Sequence, residues 1–355
     1  MKNEIIIFSV IFSTIAPAIL ATTHLSIYVA LPTFLLVFVI AYLTYLLVNV
    51  KWDYKGLYAY AQDFHPLVGY MFLASWLGSY YPYTIYTAIY IPYYVLNLDG
   101  ITAVIISLMV EVIIVVALLT NFYYIFPIIA FSQLALALPF GWKLGLGVTP
   151  PIPSLFLDIL SSSVIIVCIT LSTFIKADKR FSNYILYSVL IGGTMLFYSS
   201  FLSPSSLAVY GEAIGNFGLI MAEFLMIKNL LSGLQRENIV KYLAIASIPL
   251  VGIGNLNYTL FYNTLIVPSV ALLYVSLFLS FLSVFKYFNS LKIKILGSIA
   301  LFLFIYGEYN VITTSKGYLL YEAIGALILS ILIGISVYSK RKHSFNSIRD
   351  LGKNF

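Results

Sequence analysis

Apolar residues come in long unbroken runs along this chain, separated by short polar segments. Runs of about 20 apolar residues suffice to cross a hydrocarbon core of roughly 30 Å. They fall at about 5–24, 27–49, 67–95, 101–119, 122–140, 154–175, 184–203, 212–234, 238–257, 264–285, 293–312 and 318–339. Continuous apolarity, without the alternation of a lipid-facing strand, excludes a β-barrel. The pattern predicts an all-α membrane protein with about 12 transmembrane helices, numbered here as spans in chain order.

Polar residues that interrupt these runs carry the candidate chemistry. Span 6, PSLFLDILSSSVIIVCITLSTFI, holds Asp158 and three consecutive serines, Ser161, Ser162 and Ser163. Serines compete for their own backbone hydrogen bonds, so the helix is expected to loosen there; helix-packing contacts are the other reading. In span 1 the stretch Ser13, Thr14, Ile15, Ala16, Pro17 places a proline after hydroxyls, which frees carbonyls for partners or ions. A cleavable signal peptide is the competing reading of span 1. Span 3 is rich in aromatics, with Trp76 and Tyr80 one turn apart and deep enough to line a cavity or fill the core, and Tyr90, Tyr93 and Tyr94 read as an interfacial belt. Span 4 carries Glu111 at mid-membrane, either functional or a neutral acid bonded to a neighbouring helix. In span 8, Glu212, Asn216 and Glu223 share one helical face, and Lys228 is expected to snorkel to the cytoplasm. Glu308 and Glu322, near outer helix ends, are expected to be solvated. The loop GWKLGLGVTPPIP is expected to shape the outer mouth.

Composition narrows the classes further. The 355 residues are 61% hydrophobic and 9% charged, against roughly 25% charged in soluble domains. Of the 19 lysines and arginines, all but Lys143 and Lys316 fall on one side of the alternating spans. By the positive-inside rule both termini are then cytoplasmic. That topology, not nucleic acid, explains the net charge of +6. The single cysteine, Cys168, and the widely spaced His24, His65 and His343 suggest no metal or haem cofactor. With minimal loops and no cluster of acids or nucleophiles at one face, a membrane-embedded enzyme is the weakest reading. The basic tail 341–355 acts as a topological anchor or touches anionic lipid.

Three blocks carry a resemblance. GLYAYAQDFHPLVGYMFLASWL (Gly56–Leu77) has a glycine, Tyr-x-Tyr, Pro-x-x-Gly and a tryptophan; FIKADKRFSNYILYSVLIGG (Phe174–Gly193) has a charged loop entering a small-residue helix. With GLIMAEFLMIKNLLSGLQREN (Gly218–Asn238), they resemble amino acid–polyamine–organocation permeases. The resemblance implies a LeuT-like five-plus-five inverted repeat with spans 1 and 6 broken. Repeat one would run over about 5–140, repeat two over 154–285 and accessory helices over 293–339, in one domain, 1–340. It also implies a plasma-membrane secondary transporter of amino acids or related amines. Ser13, Thr14, Ala16, Pro17 and Ser161–Ser163 would bind substrate at the breaks, with Trp76 and Tyr80 as pocket walls. The family's glycine-rich breaks are absent here, with proline and serines in their place. Sodium sites of this fold use a hydroxyl pair on span 8; residues 217–229 have none. Protons are thus the expected coupling ion, with Glu223, Glu111 or Asp158 titrating. A non-transporting subunit or scaffold of a membrane complex is the alternative.

Overall fold

The structure is a computed structural model describing residues 4–15, 25–137, 151–175, 177–201 and 206–351. Its described residues form helices and turns: α1 (Glu4–Ser13), α2 (Ile27–Val50), α3 (Leu57–Phe64), α4 (Pro66–Tyr90), α5 (Gly100–Thr120), α6 (Ile125–Ala137), α7 (Ile152–Ile165), α8 (Asn183–Phe201), α9 (Ala208–Gly233), α10 (Glu237–Gly254), α11 (Tyr258–Phe281), α12 (Ser283–Tyr287), α13 (Leu291–Thr314) and α14 (Tyr318–Leu351). Eight segments among the described residues are long and apolar enough to cross a membrane, one of them, Glu237–Tyr287, containing two long helices. The chain is a multi-pass α-helical membrane protein.

Local chemistry explains where the helices depart from the predicted spans. The approach to span 3 folds into a separate helix, α3, with Leu57–Ala61 buried. Pro66 then starts α4, its missing N–H harmless in a first turn. His65 Nδ1 accepts from the Leu67 N–H at 3.2 Å. At the other end of α4, Pro92 cannot donate to the ladder, and the chain widens into a π-helical turn, Ile91–Val95. The last helix continues to Leu351, through much of the basic segment expected as a tail.

Span 6 changes conformation, but not at its serines. Ser161, Ser162 and Ser163 all remain in α7, with Ser163 Oγ donating to Ile159 O at 2.7 Å and Ser161 Oγ bonded to the Tyr306 hydroxyl at 3.1 Å. The α-helix ends three residues later, at Ile166 (φ −95°, ψ 27°). A 3₁₀ segment, Val167–Phe174, follows. Three hydroxyls stabilise it by donating three residues back: Thr170 to Val167 O, Ser172 to Ile169 O and Thr173 to Thr170 O. Ser161 and Ser163, hydrogen-bonded within the bundle, do not unwind the α-helix that holds them.

Helix α4 lies at the heart of the bundle, packed most extensively against α11 and α14, while α9 packs on α6 and α2 on α8. Trp76 on α4 is fully buried. Its ring lies 4.5 Å from that of Phe174 and 4.8 Å from that of Tyr80.

Hydrogen bonds tie the ends of several helices together on one face. Lys51 meets Asp63 at 3.2 Å, Tyr287 donates to the same carboxylate at 2.5 Å, and Lys286 donates to the Asp63 carbonyl. Lys179 reaches Val50 O at 2.8 Å. The loops after spans 2, 6 and 10 therefore share a face, as the charge pattern requires. Tyr60, whose phenol is pushed well up by burial, donates to Lys51 O. Tyr287→Phe is expected to cost about 1–2 kcal/mol, because a hydrogen bond to a partly exposed carboxylate is lost; thermal unfolding in detergent measures it.

Candidate functional site

A cavity of about 320 Å³ opens between α4, the α7–3₁₀ junction, α9 and α11. Its walls include Tyr83, Tyr86 and Tyr90 from α4 and Tyr262 from α11, with Glu212 and Asn216 from α9. The helical repeat places the three α4 tyrosines on one face. Tyr262 meets Tyr86 edge-on at 5.3 Å and lies parallel to Tyr90 at 5.8 Å. The residues near the rim, Tyr90, Glu212 and Tyr262, lie near the helix ends opposite the basic loops, so the cavity occupies the outer half of the bundle.

Cys168 lines the same cavity at the start of the 3₁₀ segment. The Tyr80 hydroxyl stands beside its thiol. Glu223, two turns from Asn216 on the same face of α9, is fully buried, and neither carboxyl oxygen has a hydrogen-bond partner among the described residues. Its carboxyl lies in the neighbourhood of Cys168, Tyr80 and Tyr83. Asn216 spends its amide N–H on Glu212 O at 2.9 Å, which leaves its carbonyl oxygen to accept or ligate. The arrangement is an aromatic-walled funnel leading to a thiol, an amide oxygen and an orphaned acid.

The residues singled out in the sequence are distributed unevenly around this cavity. Ser13 and Thr14 are buried where α1 ends, donating to Ser9 O at 2.8 Å and Ile11 O at 2.7 Å. Ala16 and Pro17 lie outside the described residues, as does most of the loop expected at the outer mouth. Trp76 packs below the cavity and does not line it. Asp158 is exposed on α7. Glu111 is fully buried beside Ser247 on α10, and it does not line the cavity. Glu308 departs from the expectation of solvation: both its carboxyl oxygens are buried and unpartnered among the described residues, and so is Oε2 of Glu322. Tyr83, Tyr86, Tyr90, Tyr262 and Cys168 were not legible as a set. The i, i+3, i+7 spacing of the α4 tyrosines was the available signal, and it reads equally well as an interfacial belt.

The chain is similar in fold to a manganese transporter from Eremococcus coleocola. One solved structure of it, in complex with an aromatic bis-isothiourea substituted compound, is 11% identical with a TM-score of 0.52, covering 98% of this chain and 94% of that chain. Two structures of that transporter with single substitutions, at a histidine and at a glutamate, give TM-scores of 0.53 and 0.52 at 12% and 14% identity over the same shares of the chains. No protein-family model and no curated protein matches the sequence.

This likeness corrects the reading as an amino acid–polyamine–organocation permease, and with it an amino acid or amine as cargo. Nearly the whole chain superposes on a metal-ion transporter instead. The physical reason for the misreading is position. Gly56 precedes α3 with φ +56°, and the His65–Pro66 pair divides α3 from α4. The blocks Gly56–Leu77 and Phe174–Gly193 thus encode turns, caps and packing, and neither lines the outer cavity. The third block, Gly218–Asn238, gives Leu219 to the cavity wall and holds the buried Glu223. The LeuT-like all-α architecture stands.

Proposed function

We propose that the chain is a secondary transporter of a divalent transition-metal cation across the cell membrane, exchanging the cation against a proton at Glu223. The observation that carries this reading is the Glu223 carboxyl, buried and without a hydrogen-bond partner beneath a cavity that also presents Cys168. A carboxylate at membrane depth is costly without a counter-charge. Its two stable conditions are a neutral acid and a metal-bound carboxylate. Cation arrival and proton occupancy therefore compete for one group, since metal ligands must be deprotonated. Cys168 adds a soft donor, which favours transition metals over magnesium or calcium.

Among the described residues no three His, Cys, Asp or Glu side chains gather into a metal cage. The side chains would supply Cys168 and Glu223, with Asn216, tyrosine hydroxyls and water completing the shell. A weak, incomplete shell suits a cargo that must leave again. The manganese carried by the solved relative makes Mn²⁺ the first probe.

Helix pairing supports the inverted repeat. Exchanging each span n of the first five with span n+5 maps the packed pairs 2–7, 3–8 and 4–9 onto themselves. The same exchange maps the extensive 3–10 pair onto the 8–5 pair, and 2–6 onto 7–1. The end of α1 at Ser13 and the α-to-3₁₀ change at Ile166 support breaks in spans 1 and 6. On this reading Ser13 and Thr14 border the first break, Trp76 and Tyr80 form the partition below the cavity, and Glu111 is a neutral packing acid.

The test is Mn²⁺ uptake into liposomes holding the purified protein, an acidic interior and a metal-sensitive dye. Uptake faster than at equal pH is the expected result. No uptake of Mn²⁺, Fe²⁺, Co²⁺ or Zn²⁺ above empty liposomes, by protein shown to be folded, returns the chain to the scaffold reading.

A further inference from the structure

A second cavity, of about 310 Å³, lies at the cytoplasmic end of α9, lined by Leu225, Lys228, Asn229 and Ser232 of that helix with Asn121, Tyr123 and Ile175. The outer cavity uses Glu212, Asn216 and Leu219 of the same helix. Leu219 and Leu225 are separated by roughly 9 Å along α9 at about 1.5 Å per residue. Glu223 lies in that partition, as does the 3₁₀ segment, which runs from Cys168 on the outer side towards Ile175 on the inner. We infer that the inner cavity is the cytoplasmic half of one path through the partition, and that Lys228 is the latch that holds it shut.

Three acceptors converge on the Lys228 ammonium: Leu118 O at 2.8 Å, Asn121 Oδ1 at 2.7 Å and the Tyr123 hydroxyl at 3.1 Å. A lysine that snorkels ends in water; this one uses its three donors on the end of α5 and the loop beyond it. The site is prepared for a cation. The carbonyls at the end of α5 present the negative pole of the helix, and Asn121 adopts the left-handed conformation (φ 58°) that closes helices. The Tyr123 hydroxyl donates to Asn121 Oδ1 at 2.9 Å and so helps to hold that acceptor in place. Glu237, which also lines this cavity, is within electrostatic reach of the ammonium.

The next residue completes the clasp. Asn229 Nδ2 donates to Phe174 O, the last carbonyl of the 3₁₀ segment, at 2.9 Å. Neighbouring residues of α9 thus hold the ends of two different elements, α5 and the 3₁₀ segment. Opening the inner cavity towards Cys168 parts one or both from α9. The ammonium also places a positive charge at the exit of a path for cations, so the closed latch repels the cargo as well as blocking it.

Cys168 is the only cysteine in the sequence and lies at the floor of the outer cavity, which makes it a built-in reporter of sidedness. The experiment measures its modification by a membrane-impermeant methanethiosulfonate reagent applied to right-side-out and inside-out vesicles of the full chain. Cys168→Ser serves as the blank. Lys228→Met removes all three ties of the lysine at once and is expected to speed labelling from the cytoplasmic side by about tenfold or more, the effect of losing a charge-assisted hydrogen bond. Asn121→Ala removes one acceptor and leaves the lysine in place; a smaller shift in the same direction is expected, and it keeps the test alive should Lys228→Met fail to fold. Cytoplasmic labelling unchanged in the folded variants overturns the latch. The inference rests on the transport reading, but labelling needs no cargo. Shifted labelling without divalent uptake sinks the cargo alone, and Mn²⁺ uptake with unshifted labelling sinks the latch alone.

Discussion

Replacing Glu223 with glutamine is expected to abolish pH-driven Mn²⁺ uptake while leaving the protein folded. Glutamine keeps the side chain's volume and spares the membrane interior an acid, so unfolding in detergent should shift by no more than a few degrees. What is lost is the charge. At an effective dielectric of about 20, a unit-charge pair at about 4 Å is worth about 4 kcal/mol, and a divalent cation loses at least that. Since every 1.4 kcal/mol is about tenfold, uptake at low Mn²⁺ should fall by at least about a hundredfold. The proton dependence should vanish with it, because glutamine has no proton to exchange. A Glu223→Gln protein that takes up Mn²⁺ at the original rate, still accelerated by an acidic interior, would remove this residue from the mechanism. The parallel substitution Glu111→Gln, at the α5–α10 interface, is the contrast that separates a coupling acid from a buried one.

Trp76→Ala is expected to destabilise the protein by several kcal/mol, about 3–5. Trp76 is fully buried and packs its ring against those of Phe72, Tyr80 and Phe174. Truncating an aromatic of this size in a packed core costs about 3–5 kcal/mol, through lost contacts and the cavity left behind. Phe174 also offers its carbonyl to Asn229, so the void should loosen the inner end of the 3₁₀ segment. Thermal unfolding in detergent measures the loss, and Trp76→Phe should recover part of it. A loss below about 1 kcal/mol would mean that the site collapses around the gap and that Trp76 does not support the partition between the two cavities.

Much of the architecture was legible because a bilayer acts on segments one at a time. Each run must be long and apolar enough to span, and each basic loop must stay inside, whatever the rest of the chain does. Hence the order of helices, the shared face of the loops after spans 2, 6 and 10, and the common face of Glu212, Asn216 and Glu223 follow from the sequence alone. The change from α to 3₁₀ in span 6 was half legible. Its serines marked the neighbourhood, but the change comes just after them, at Ile166, because the serine hydroxyls find partners without leaving the helix.

Tertiary structure decided the rest. Tyr262 of α11 closes against Tyr86 and Tyr90 of α4, and Lys228 of α9 finds the end of α5, across sequence distances no periodicity encodes. Spans apolar on nearly every side do not announce which side faces a partner, a cavity or lipid; interhelical packing makes that choice. The cargo belonged to the same class of question. Two of the blocks that resembled a permease, Gly56–Leu77 and Phe174–Gly193, shape turns and caps, whereas the outer cavity is assembled from four elements only when they fold together.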